Sequence, residues 1–74
     1  MPATYNRMQV ALLALLPKDG AKVSVAQLAR DAGIAQPAVT NELFDVWFAG
    51  AVQFDVRADS YFVLPKTTNS NLST

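Results

Sequence analysis

Leu28-Ala-Arg-Asp-Ala-Gly-Ile-Ala-Gln-Pro-Ala-Val-Thr-Asn-Glu-Leu43 contains two helical patterns separated by a glycine and a proline. Before the break, Val25, Leu28, Ala29 and Ala32 recur at helical spacing, and Gly33 supplies the left-handed backbone that commonly ends a helix. After it, Pro37 suits a first helical turn, where its missing amide would go unpaired in any case. A helix is therefore predicted from about Gln36 to Phe48, with Gly50 as its stop. Two helices joined by so tight a turn must pack across each other.

Upstream, Ser24-Val-Ala-Gln27 has the spacing of a capping box and starts the shorter helix, of about two turns. A first helix is predicted over about Thr4 to Leu16, with Thr4 or a neighbour at its start and Pro17 with Gly20 closing it. Tyr5, Met8, Leu12, Leu15 and Leu16 share one of its faces, while Val10 and Leu13 fall on a second. A helix apolar over more than one stripe is either central or part of an interface. Downstream of Gly50 the period changes to two. Val52, Phe54 and Val56 alternate with Gln53, Asp55 and Arg57, and Tyr61-Phe-Val-Leu64 follows an Ala58-Asp59-Ser60 turn, which reads as a β-hairpin. Ala21-Lys22-Val23 can add a third, very short strand. The end, Lys66 to Thr74, is polar and aperiodic, so the expected organisation is one domain over 1–66 and a flexible tail over 67–74.

The chain has 74 residues, 51% of them hydrophobic, with no His and no Cys. One small domain follows, and its half-apolar composition is what a core of this size needs. Without Cys there is no disulfide, thiol nucleophile or thiolate metal site, and without His the usual imidazole ligands and bases are missing. An enzyme is not expected, nor a cofactor or metal. The longest apolar run, Val10 to Leu16, has seven residues, against the roughly 20 needed to span a bilayer. Pro17-Lys18-Asp19 stands where a signal peptide would carry small residues, so no membrane association and a cytoplasmic location are expected. Six Lys and Arg balance six Asp and Glu, which denies the chain the broad basic field of many nucleic-acid-binding domains. The distribution is uneven: Arg7, Lys18 and Lys22 face only Asp19 in the first 23 residues, whereas Arg30 stands against Asp31, Glu42 and Asp45 in residues 24–50.

The order helix, short strand, helix, tight turn, helix, hairpin resembles a winged helix-turn-helix, and the segment from Leu28 to Leu43 is similar to that of the ArsR and MarR groups of bacterial regulators. In that pattern a small residue on the second helix, here Ala29, lets the third pack close. Gly33 turns the chain, Ile34, Val39, Leu43 and Val46 lock the crossing, and Gly50-Ala-Val52 leads into the wing. The resemblance covers roughly residues 20–64. It implies an α+β, mainly α fold: a three-helix winged helix-turn-helix with a C-terminal β-hairpin wing.

It also implies sequence-specific binding of double-stranded DNA by a transcriptional or replication-control regulator. The third helix would enter the major groove and the 54–62 hairpin would meet the flanking backbone. Gln36, Ala38, Thr40 and Asn41 map to the base-reading turns, where amides pair with adenine and methyl groups touch thymine. Ser24, Arg30 and Arg57 map to backbone contacts, although capping alone accounts for Ser24, and solvated surface charges account for Arg30 and Arg57. The Arg or Lys common along the reading helix is missing, and Glu42 and Asp45 are expected near its groove face. The metal-sensing Cys and His of ArsR-type proteins and the long dimerisation helices of MarR-type proteins have no counterpart. The expected assembly is a homodimer through the first helix and the aromatic flank of the third. The alternative function is a protein-interaction module without DNA binding. Trp47 is expected in one core with Leu28, Ala29, Ile34, Val39, Leu43, Val46, Leu12, Leu16 and Phe54, and Phe44 and Phe48 are expected to pack under the first helix; left uncovered, they would form a patch needing a partner.

Overall fold

A computed structural model describes residues 4–65; the polar tail expected at 67–74 lies outside them. Three helices, α1 (Arg7–Ala14), α2 (Val25–Ala32) and α3 (Gln36–Phe48), combine with three short strands, β1 (Val23–Ser24), β2 (Gln53–Asp55) and β3 (Ser60–Phe62). The class is α+β, mainly α. No helix among the described residues is long and apolar enough to cross a membrane.

Each helix begins and ends for a local reason. Asn6 caps α1 reciprocally: its side chain accepts from the Gln9 amide at 2.7 Å, and the Gln9 side chain accepts from the Asn6 amide at 2.9 Å. Asn6 therefore starts α1 two residues later than Thr4. The amides of Leu15 and Leu16 then close tight turns on Leu12 and Leu13 ahead of Pro17. At α2, Ser24 Oγ accepts from the Gln27 amide at 3.0 Å, but the Gln27 side chain turns to Asp31 instead of completing the box. The α2 terminus is a Schellman closure. Gly33 sits at φ +72°, its amide reaches the Arg30 carbonyl, and the Ile34 amide reaches that of Ala29 at 3.0 Å. The same closure recurs after α3, where Gly50 has φ +88° and the Ala51 amide donates to the Val46 carbonyl at 3.1 Å.

The strands form one antiparallel sheet in the order β1-β3-β2, with Val23 opposite Tyr61 and Phe54 opposite Tyr61 on its other side. The short upstream strand thus exists, shifted to Val23–Ser24. The hairpin turn occupies residues 56–59 and leaves Ser60 paired in β3. Val56, expected among the inward strand positions, lies in that turn and is exposed, because pairing stops at Asp55. The turn also ties the sheet to α2: Asp59, at φ +49°, presents its carbonyl to the Val25 amide at 2.9 Å and satisfies a donor that the helix start leaves open.

Leu12 and Leu16 of the α1 segment, Val25, Leu28 and Ala29 of α2, Val39, Leu43 and Val46 of α3, and Val52 and Tyr61 make one buried cluster. Ile34 and Phe54 pack against it partly buried. Three aromatic assignments are corrected. Trp47 is 43% exposed, Phe44 54% and Phe48 79%, because burying Val39, Leu43 and Val46 turns those rings towards solvent. Leu13 joins the core margin, whereas Val10 stays exposed beside exposed Ala11 and Ala14. Gln9 is an unforeseen core member. Its Nε2 donates to the Glu42 carbonyl at 3.0 Å, which pins α1 to α3.

Leu43 is fully buried, so Leu43→Ala should lower the unfolding free energy by about 2–5 kcal/mol in urea titrations. Trp47→Ala should cost clearly less despite deleting more atoms; equal losses would mean that the rotation of α3 differs from this one.

Candidate nucleic-acid interface

The sequence-predicted groups on α3 divide by angular position. Val39, Leu43 and Val46 face the core, and Pro37, Asn41, Phe44 and Phe48 form the outward stripe opposite them, at helical spacing. Thr40 and Trp47 lie on the flank towards the sheet, where both border a cleft with Phe54 and Tyr61. Gln36, one turn before Thr40, shares that flank. Ala38 and Glu42 lie towards α1, both half-buried. Ala38 is accordingly the least available of the four groups expected to read bases.

Gln36, Thr40 and Asn41 are exposed, and their side chains make no hydrogen bond among the described residues. The backbone beside them has less to offer. Ala35 caps α3 without a side-chain bond, Pro37 lacks an amide, and the amides of Ala38 and Val39 both close on the Ala35 carbonyl. No acidic residue occupies the first turn, so the positive end of the helix is uncompensated. The polar groups left free at this end are mainly those of side chains.

Glu42 departs from the position expected of it. Its carboxylate accepts from Asn6 Nδ2 at 3.0 Å on the α1 side, away from the outward stripe. The capping geometry of α1 holds it there. Asp45 remains exposed. Ser24 is half-buried and its hydroxyl oxygen is used by the cap; Arg30 is exposed in the last turn of α2, with Nη1 3.4 Å from Gln27 Oε1. Arg57 is exposed in the hairpin turn and forms no ion pair among the described residues. Among the described residues, no hydrogen bond or ion pair joins Ser24, Arg30 or Arg57 to the α3 groups. Lys22 is committed elsewhere: Nζ lies 2.6 Å from Asp55 Oδ2 and 5.4 Å from the Phe62 ring centroid. That hydrogen bond, followed by the Ala58 amide, holds the Asp55 carboxyl below the usual carboxylate range.

Sequence reasoning missed the cleft itself. Thr40, Phe44, Trp47, Phe54 and Tyr61 line an open cleft of about 200 Å³, almost wholly apolar, between α3 and the hairpin. Phe54 and Tyr61 pack at 4.7 Å between centroids along one wall. The cluster Phe44, Trp47, Phe48 was visible as a pattern; what hid the cleft is that its other wall comes from cross-strand partners in the hairpin. Comparison of the chain with protein-family models, curated proteins and solved structures finds no match.

Burial, with the negative charge of Asp59 adding to it, pushes the Tyr61 phenol above the ordinary value of 10.0. The folded state therefore favours the neutral phenol. Its contribution to stability is complete below the unfolded-state pKa and is lost as pH rises through the raised folded value. Above about pH 10 the melting temperature should fall more steeply for the wild type than for Tyr61→Phe; parallel curves would place the phenol in water.

Proposed function

We propose that the chain is a winged helix-turn-helix domain that binds double-stranded DNA selectively, as a transcriptional or replication-control regulator acting in the cytoplasm without catalysis or a cofactor. The crossing of α2 and α3 across a three-residue turn, followed by an antiparallel hairpin, supports this architecture. The observation that carries the functional reading is the first half of α3, where Gln36, Thr40 and Asn41 are exposed and unengaged beside an acid-free helix start. Their amides match the paired donor and acceptor of adenine in the major groove, and the Thr40 methyl suits thymine. The attachment of Glu42 to Asn6 removes one of the two carboxylates that argued against such a surface. Arg57 in the hairpin turn and Arg30 on α2 would meet phosphates. With so few cations, affinity should be modest and its salt dependence shallow.

A second reading, an interaction module that meets a protein and no DNA, is favoured by one observation: Phe44, Trp47 and Phe48 are exposed on the same helix. Fluorescence anisotropy on genomic and random duplexes at several salt concentrations separates the two. Under the DNA reading, Asn41→Ala and Gln36→Ala should each lose about 1–3 kcal/mol on a specific site. Arg57→Ala should weaken all sequences alike and reduce the salt slope by roughly one. Asp45→Asn should tighten binding. Wild-type protein that binds no duplex at low salt would leave the interaction module as the function.

A further inference from the structure

The C-terminal half of α3 is built differently from its first half. Phe48 stands out from the surface, stacked on Phe44 at 6.2 Å and 17°, and Phe44 in turn leans on Trp47 at 5.9 Å. One turn back along the helix from Phe48 is the aromatic cleft, bordered by Thr40, Phe44 and Trp47 on α3 and by Phe54 and Tyr61 on the hairpin. An apolar projection and an apolar recess thus lie side by side, joined at Phe44.

The geometry points to a second copy of this chain as the occupant, with Phe48 of each copy seated in the cleft of the other about a two-fold axis near the Phe44 turn. Three observations support that choice. The recess holds about 200 Å³, and an apolar cavity of about 150 Å³ already accepts a benzene ring, so a phenyl side chain fits. Projection and recess lie on adjoining sides of α3 and share Phe44, so one surface can complement its own copy about a two-fold axis. The area is also sufficient for the centre of an interface. At 54, 43 and 79% exposure, Phe44, Trp47 and Phe48 leave together roughly 350 Å² of surface in water. Two copies bring roughly 700 Å², more than half of the ~1,200 Å² at which specific interfaces begin, before any rim residue is counted. Asp45 is the one charge on this stretch of α3 that is exposed, and it lies away from the cleft flank, so seating a ring in the recess buries no charge.

Thr40 borders the recess and Asn41 lies one turn before Phe44 on the outward stripe. A seated Phe48 ring covers the first and crowds the second. On the DNA reading, on which this consequence rests, the self-associated form and the DNA-bound form exclude each other.

Sedimentation velocity of the full chain from low micromolar to several hundred micromolar tests the association, and the emission of Trp47, the single tryptophan, reports its location. The wild type should dimerise with a blue shift of that emission. Phe48→Ala, at a position exposed enough to spare the fold, should raise the dimer dissociation constant about tenfold or more. Val10→Ala, exposed on α1, should leave it unchanged. A wild type monomeric throughout overturns the inference and leaves the face to a different protein. A dimer insensitive to Phe48→Ala, or one that leaves Trp47 emission unmoved, overturns it as well. In a parallel DNA titration, Phe48→Ala should bind more tightly than the wild type wherever the wild type is dimeric. Equal binding overturns the exclusion alone, and no DNA binding by either protein overturns the DNA reading while sedimentation still decides the dimer.

Discussion

The crossing of α2 and α3 is the constraint on which the rest of the molecule depends. A left-handed Gly33 lets the Ile34 amide return to the Ala29 carbonyl, so the chain leaves α2 in one direction and enters α3 three residues later. Leu28 and small Ala29 on one helix and Val39 and Leu43 on the other are all buried at that junction. Once this contact is made, the rotation of α3 is settled, and with it the destination of every other side chain on the helix. The α1 segment adds Leu12 and Leu16 to the same core and is held in register by the polar bridge from Gln9 to the Glu42 carbonyl. A buried polar group of this kind is costly unless fully paired, and this one is paired at both ends of its amide.

The sheet closes the remaining side with very little material. Strands of two and three residues would not persist alone. They persist here because Val52 and Tyr61 are part of the core and because the Asp59 carbonyl takes the first amide of α2. The hairpin is thereby tied to the helix pair rather than merely following it. The hairpin wall of the aromatic cleft is built on the core through Tyr61.

The exposed side of α3 then carries two chemistries in sequence. Its first two turns offer uncharged hydrogen-bonding groups, and its last two offer three aromatic rings. Amides and hydroxyls can exchange water for base edges, whereas exposed rings gain most by leaving water altogether. A helix with both must divide its surface between partners or alternate between them. On the proposed DNA reading, the scarcity of cations works in the same direction, since little electrostatic attraction would oppose the release of DNA.

The sequence by itself determined where α2 and α3 begin and end. Gly33, Pro37 and Gly50 bracket α3 at the predicted residues, Ser24 caps α2, and the change of period after Gly50 marks the hairpin. These are local effects, decided by backbone conformations and donors within a few residues. Most of the core was legible for the same reason, as was the exposure of Gln36, Thr40 and Asn41. Only the tertiary structure decided which way the ambiguous groups face. Trp47, Phe44 and Phe48 read as core because apolar residues usually are, yet a helix with one buried stripe has no second neighbour to cover them. Glu42 read as a groove-facing charge until the Asn6 cap of α1 claimed it, and nothing in the local pattern marked Gln9 as the donor that reaches a carbonyl on α3. Helical spacing sets the angles between side chains, but what stands opposite each angle is supplied by residues more than 30 positions away, and no local pattern contains that information.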